Sequence, residues 1–186
     1  MRIIGGEAKG KYIYSLKRNR TRPTSGGIKE SLFNILQEIS GESFVDLFAG
    51  SGNVGLEALS RGASKVVFIE KDAVMANSIK RNAREMGFSD KCKVLAAEAV
   101  KGIRQVHKDG EIFDIVFADP PYERDFIKKI FQCLGEANIV AEDGVLIVQH
   151  SKREQVLGQQ TGNFVLTDQR RYGDTLLSFY KITKGD

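Results

Sequence analysis

Apolar and polar positions alternate along this chain in blocks whose period switches between the two of a strand and the 3.6 of a helix. Short apolar runs bounded by turn-forming residues predict strands at about 43–48, 65–70, 92–97, 112–118 and 145–150, and helical spacing predicts helices near 53–61, 72–86, 99–107 and 124–134 between them. Ahead of the first strand, Ile28, Leu32, Ile35, Leu36 and Ile39 mark one face of a helix over about 27–39. After the last helix, Phe164 to Tyr172, a Gly173-Asp174 turn and Thr175 to Ile182 predict a closing antiparallel hairpin. The pattern therefore predicts an α/β fold: a mostly parallel, seven-stranded sheet, helices on both faces, and ligands at the strand carboxyl ends.

The first predicted strand, Phe44-Val45-Asp46-Leu47-Phe48, runs into Ala49-Gly50-Ser51-Gly52-Asn53-Val54-Gly55 and then a helix. Gly50 and Gly52 let a ligand approach the backbone, and Gly55 lets the helix lie close against the sheet. The spacing also satisfies the dinucleotide fingerprint G-x-G-x-x-G, with Glu70 near the distance at which such folds place a ribose acid. On this loop alone a nicotinamide dehydrogenase competes with a nucleoside-binding methyltransferase.

A second motif separates the two. The apolar run Val116-Phe117-Ala118 ends in Asp119-Pro120-Pro121-Tyr122. An exocyclic amine on a nucleobase is a poor nucleophile because its lone pair is delocalised into the ring. The Asp119 carboxylate and the Pro120 carbonyl can each accept one N–H while Tyr122 stacks on the base, which turns the lone pair outward. Pro120 and Pro121 fix φ and remove competing donors. A dehydrogenase has no evident need for this motif, whereas transfer of methyl from S-adenosylmethionine to an amine does. Asp119, Pro120, Pro121 and Tyr122 are thus the expected catalytic set. Glu70 is expected to accept from both ribose hydroxyls of the cofactor, Glu98 from its adenine amine, and Asp46 to lie near its amino-acid portion. Phe48, Gly50, Ser51, Gly52, Lys71, Ala99 and Asp119 complete the expected cofactor site. The reaction expected is direct in-line displacement with no covalent enzyme intermediate.

Length and charge change the picture in specific ways. The 186 residues suffice for one α/β domain and a small appendage. Segment 1–22 holds Arg2, Lys9, Lys11, Lys17, Arg18, Arg20 and Arg22 against Glu7 alone, a net +6, while the remaining chain is net −2. The overall +4 thus comes from a basic N-terminal arm, read as a short hairpin over 1–24 that contacts RNA phosphates, with 25–186 as the catalytic domain. Arg2, Lys9, Arg20, Arg22 and Lys29 are the expected phosphate anchors, and Tyr122 the stacking contact. No apolar run is long enough to span a membrane and no leader is evident, so a cytoplasmic protein is expected; a monomer is expected as well. Cys92 and Cys133 have no zinc spacing and neither follows a proline, which argues against a thiolate attack on cytosine C5. No metal is expected.

Arg2-Ile3-Ile4-Gly5-Gly6, Arg22-Pro23-Thr24 followed by Glu30-Ser31-Leu32-Phe33-Asn34-Ile35-Leu36, Asp46 to Gly52 continuing into Gly55-Leu56-Glu57-Ala58-Leu59-Ser60-Arg61-Gly62-Ala63, Asp119 to Tyr122, and Arg171-Tyr172-Gly173-Asp174-Thr175 together resemble the RsmD family of bacterial 16S ribosomal RNA guanine-N2 methyltransferases. The resemblance covers nearly the whole chain. It implies a Rossmann-like class I methyltransferase fold, S-adenosylmethionine as methyl donor, and guanine 966 of 16S ribosomal RNA as acceptor, within small-subunit particles. The chain departs from the family pattern at Gly26-Gly27-Ile28-Lys29, at Gln149, where the family often has Glu, and at Glu98, where it often has Asp. Two other readings stay open at this point: an adenine-N6 DNA methyltransferase, for which no target-recognition domain is evident, and a non-catalytic RNA-binding module.

Overall fold

A computed structural model of the protein describes residues 1–15, 26–121, 124–154 and 159–183, with Arg124 and Asp125 described by backbone alone. The chain forms two compact units, Met1–Glu98 and Ala99–Asp186.

The first unit contains α1 (Gly26–Leu36), β1 (Ser43–Leu47), α2 (Asn53–Ser60), β2 (Lys65–Ile69), α3 (Ala73–Met86), a 3₁₀ turn (Ser89–Lys91) and β3 (Cys92–Leu95). Its strands run parallel in the order β3-β2-β1, with Val45 opposite Val67 and Phe68 opposite Val94. Every residue of β1 and α2 is buried, the polar Ser43, Asp46, Asn53, Glu57 and Ser60 included, so neither segment shows a one-sided pattern. Phe44, Leu47, Leu56, Leu59, Phe68 and Ile79 form the centre of this core. α3 begins at Asp72, whose side chain accepts from the Val74 and Met75 N–H groups, and ends at Gly87 in the left-handed conformation (φ 86°).

α1 departs from expectation. It stops at Leu36 because Gln37 takes a left-handed φ of 57°, so Ile39 lies beyond the helix although it is buried. Its inward face is Lys29, Leu32 and Phe33, rotated from the Ile28-Leu32-Ile35-Leu36-Ile39 stripe the spacing predicts. The rotation follows from Lys29, whose ammonium is drawn inward by a buried carboxylate described below.

Residues 1–15 belong to this same unit. The segment closes as a hairpin, with Arg2 bridged to Tyr12, Ile3 N–H donating to Lys11 O, and Ile13 N–H donating to Met1 O. Its inner residues Ile3, Ala8 and Ile13 are buried. Gly6 shows how tightly it is seated: a Cβ there would lie 1.7 Å from the carbonyl oxygen of Ser60 on α2, and its φ is +74°.

The second unit contains α4 (Ala99–Lys108), β4 (Phe113–Ala118), α5 (Arg124–Ala137), β5 (Val140–Ser151), β6 (Gln160–Thr161), β7 (Phe164–Tyr172) and β8 (Thr175–Ile182). β4 and β5 are parallel, and β8, β7 and β6 follow β5 in antiparallel order. The closing hairpin matches the predicted bounds, turn included. The strands among the described residues number eight rather than seven, because a two-residue β6 turns back on β7 through Gly162 and Asn163. β5 also starts earlier than predicted. Its register against β4 shifts between Phe113 and Ile115, and Gly144 sits in the irregularity, where a Cβ would approach the carbonyl oxygens of Ala141 and Asp114 to 2.9 Å. Phe131 of α5 packs edge-on against Phe164 and Tyr180 at centroid distances of 5.5 and 4.9 Å, fixing the helix to the hairpin.

Candidate functional site

In the first unit the glycine-rich turn after β1 is held by two carboxylates. α2 has no side-chain cap of its own, since its N-cap is Gly52 with φ 78°. Asp46, buried on β1, caps the helix instead. Its Oδ2 accepts the Gly55 N–H at 2.9 Å, satisfying a donor of the first helical turn that would otherwise be orphaned. Glu70, just past β2, accepts Gly50 N–H on Oε2 at 2.7 Å and Asp72 N–H on Oε1 at 2.8 Å. The acid predicted to hold a ribose thus also ties the loop to the start of α3.

The glycines behave as their positions require. Gly50 (φ 55°) would bring a Cβ no closer than 4.0 Å to anything but its chain neighbours, so the turn is open there. A Cβ on Gly55 would lie 2.3 Å from the Phe68 ring, which is the close helix-to-strand approach read from the spacing. Phe48 precedes the turn with φ 64° and is half-buried, and Ser51 is buried with its hydroxyl near Met1 Sδ at 3.7 Å. Lys71 and Glu98 are exposed, and Ala99 opens α4 in the second unit.

Lys29 requires a correction. Its place in the sequence predicts a phosphate anchor, but its side chain is 1% exposed and its Nζ is 2.9 Å from Glu57 Oε2, donating also to Asn53 Oδ1 and to the Arg2 carbonyl. Burial pulls its pKa down from the ordinary lysine value, and the Glu57 carboxylate opposes that shift. With its three donors already used inside the protein, it has none for RNA.

Its partner Glu57, fully buried on α2, is the organising residue that sequence reasoning did not single out. Its oxygens accept Ile4 N–H and Gly5 N–H from the N-terminal hairpin, and Arg61 Nε at 2.9 Å. The signal was present: an acid inside an otherwise apolar helix needs buried cations and donors around it. Ser60 and Asn82 add further clamps, the latter bonding both the N–H and the carbonyl of Tyr14. The hairpin is therefore a fixed platform. It turns Arg2, Lys9, Lys11 and Tyr12 outward to solvent.

In the second unit β4 delivers the Asp-Pro-Pro motif. Asp119 follows its last residue and is half-buried, Pro120 is buried and Pro121 is exposed. Tyr122, Arg20 and Arg22 lie outside the described residues. Beside the motif's strand, β5 closes with Gln149 and His150, both buried, and the half-buried Ser151. His150 Nδ1 lies 3.1 Å from Ser151 O and its Nε2 2.7 Å from Ser178 Oγ, which in turn accepts from Gln169 Nε2 at 2.8 Å. Burial lowers the His150 pKa. Burial likewise raises both thiols, Cys92 to about 11, so neither is a thiolate near neutral pH.

Among the described residues no helix is long and apolar enough to cross a membrane, and no group of three or more acidic, Cys or His residues could hold a metal ion.

The family described as conserved hypothetical protein 95 matches residues 1–181. The chain is 31% identical to Ribosomal RNA small subunit methyltransferase D of Haemophilus influenzae, over 97% of this chain and 93% of that protein. A solved Escherichia coli structure, 29% identical, superposes with a TM-score of 0.85 over 98% of this chain and 97% of that one. An RNA methyltransferase from Salinibacter ruber, solved with S-adenosyl-L-homocysteine, shares the fold at 14% identity and a TM-score of 0.69, over 89% of this chain and 96% of that one. The fold is the Rossmann-like one of S-adenosylmethionine-dependent methyltransferases. The chain belongs to the conserved hypothetical protein 95 family, which is the RsmD family its sequence resembles.

Proposed function

We propose that the protein transfers a methyl group from S-adenosylmethionine to the exocyclic N2 of a guanine in 16S ribosomal RNA, guanine 966 by family resemblance, and does so as a cytoplasmic monomer acting on the small-subunit particle. The observation that carries the reading is Asp119, half-buried at the carboxyl end of β4 and followed by the buried Pro120. A carboxylate and a proline carbonyl in sequence there supply two acceptors and no competing N–H, which is what an amine must meet to have its lone pair localised.

The residues of the first unit fit the cofactor. Gly50 leaves open space at the turn, and Glu70 spends one acceptor direction per oxygen on backbone N–H groups, keeping others for a diol. Glu70 holds the ribose, Glu98 the adenine amine, and Asp46, Phe48, Gly50, Ser51, Gly52 and Lys71 the remainder. When bound, the cofactor supplies a methyl already activated on a sulfonium.

The protein's own part is alignment and charge placement. Asp119 and the Pro120 carbonyl each accept one N–H of the amine. The nitrogen attacks in line, so that the N–C bond forms as the S–C bond breaks. The Asp119 carboxylate stabilises the positive charge that grows on nitrogen, and the proton leaves to Asp119 or to water. Pro121 keeps the turn rigid and Tyr122 stacks on the base, which must leave its own stack to reach the motif. Arg2 and Lys9 on the hairpin, with Arg20 and Arg22, hold phosphates.

The test supplies isotope-labelled S-adenosylmethionine to unmodified small ribosomal particles, naked 16S RNA and unmethylated DNA in parallel, and identifies the labelled nucleoside after digestion. N2-methylguanosine from particles or RNA is expected. N6-methyladenine from DNA would overturn the substrate, and cofactor binding with no transfer to any of the three would overturn the reaction.

A further inference from the structure

The Oε1 atom of Gln149 is, among the described residues, the one buried side-chain oxygen or nitrogen without a hydrogen-bond partner. The residue is 5% exposed and sits on β5, between the parallel strand β4 and the antiparallel strand β8. A buried carbonyl oxygen with nothing to accept costs free energy that the fold elsewhere avoids, and an orphan of this kind calls for an explanation in function.

Its position supplies one. The β4–β5 register pairs Val116 with Leu146, Phe117 with Ile147 and Ala118 with Val148. The next residues along the two strands are Asp119 and Gln149. Neighbouring residues in a parallel pair project to the same side of the sheet, so this step sets Gln149 beside the acid of the Asp-Pro-Pro motif. On that side Leu177 lies opposite Gln149 on β8, the apolar Ile147 and Phe179 lie one step back, and the polar Ser151 and Thr175 lie one step on. None of these side chains, the two hydroxyls included, is bonded to the Gln149 Oε1.

From this placement, and resting on the amine-methylation reading above, we infer that Gln149 reads the ring atom next to the reacting amine. In guanine the neighbour of N2 is N1, which carries a proton and donates. In adenine the neighbour of N6 is also N1, but it is unprotonated and accepts. An acceptor oxygen beside Asp119 pairs with guanine N1–H and confronts a lone pair in adenine. Gln149 is therefore a specificity residue, acting on the Watson–Crick edge of the extruded base. Because a carboxamide also carries an NH₂ group that rotation can present, Gln tolerates a base lacking the N1 proton better than a carboxylate would.

The experiment compares 16S ribosomal RNA carrying guanosine at the acceptor position with the same RNA carrying 2-aminopurine riboside, which keeps the exocyclic amine and lacks the N1 proton. Gln149→Met, close in shape and without the acceptor, is expected to lower kcat/KM on guanosine by about 10- to 100-fold with S-adenosylmethionine affinity unchanged. Gln149→Glu, an acceptor only, is expected to raise the guanosine to 2-aminopurine ratio of kcat/KM about tenfold or more over that of the unaltered protein. The ratio is insensitive to partial unfolding, which lowers both substrates alike. An unchanged ratio in Gln149→Glu, or a folded Gln149→Met within about twofold of the unaltered protein on guanosine, would overturn the inference. Absence of transfer to guanosine by the unaltered protein is a different result, and removes the amine-methylation reading itself.

Discussion

On the mechanism proposed above, replacing Asp119 by Ala removes one acceptor from the amine and the charge that would stabilise the developing cation, while leaving the first unit intact. Turnover is expected to fall by about 10²- to 10³-fold or more, with S-adenosylmethionine binding retained by calorimetry; full activity in that variant would exclude the mechanism. Lys29 calls for the opposite expectation. Lys29→Met leaves the fully buried Glu57 without one of its two cations and should cost about 3 kcal/mol of stability in urea unfolding, while leaving the salt dependence of RNA binding unchanged. His150 carries a pH signature. Its folded-state pKa is depressed by burial, so the unfolded chain binds the proton more readily. Stability from this residue is present above the unfolded value near 6.5 and is lost as pH falls through the folded value. The neutral ring donates from Nδ1 to Ser151 O and accepts the Ser178 hydroxyl, which accepts from Gln169. Protonating Nε2 turns that acceptor into a donor and breaks the order of the chain. The midpoint of thermal unfolding should drop between about pH 7 and 5 by more in the unaltered protein than in His150→Gln.

At the level of elements, the fold was legible wherever burial was uniform or strictly one-sided. β1 and α2 are buried throughout and stand between turn residues that set their ends. The closing hairpin was readable to the residue because Gly173 supplies the positive φ of its turn. The Gly55 reading also held, since it depended only on the absence of a Cβ. What stayed hidden depended on partners far away in sequence. The face of α1 could not be assigned by hydropathy because its buried side includes Lys29, whose partner Glu57 lies 28 positions on. The irregular start of β5 depends on Gly144 meeting a carbonyl of β4. A Gly55→Ala substitution tests this level directly. The added methyl would lie 2.3 Å from the Phe68 ring, so α2 must shift away from β2. That shift also pulls on Asp46, which caps Gly55. Overpacking of this kind should cost about 1–3 kcal/mol and weaken S-adenosylmethionine binding together with stability.

For the molecule as a whole, the net positive charge is concentrated in the N-terminal segment, and its sign alone pointed to a phosphate-bearing partner. What charge could not reveal is which cations are already spent inside the protein, or which surface accompanies them. The hairpin answers both for the described part. Lys29 is internal, whereas Arg2, Lys9 and Lys11 face solvent. Arg2 is bridged to Tyr12 in antiparallel fashion, so the two side chains project to the same side, opposite the buried Ile3 and Ile13. Tyr12 is 76% exposed, a large aromatic surface beside a guanidinium. Salt titrations can separate two contributions to RNA affinity here. If the hairpin holds RNA as proposed, Arg2→Ala and Lys9→Ala should each reduce the slope of log K against log salt concentration by about 0.7–0.9, each removing one phosphate contact and the counterion it releases. Tyr12→Ala should leave that slope unchanged and still weaken binding by about 1–3 kcal/mol, the worth of one base stacked on an aromatic ring. Because the hairpin is clamped by Glu57, Ser60 and Asn82, these surface substitutions should not alter thermal stability, so any loss of affinity reports on RNA contact and not on unfolding. A Tyr12→Ala variant that binds RNA as tightly as the unaltered protein would reduce the hairpin's role to electrostatic attraction alone.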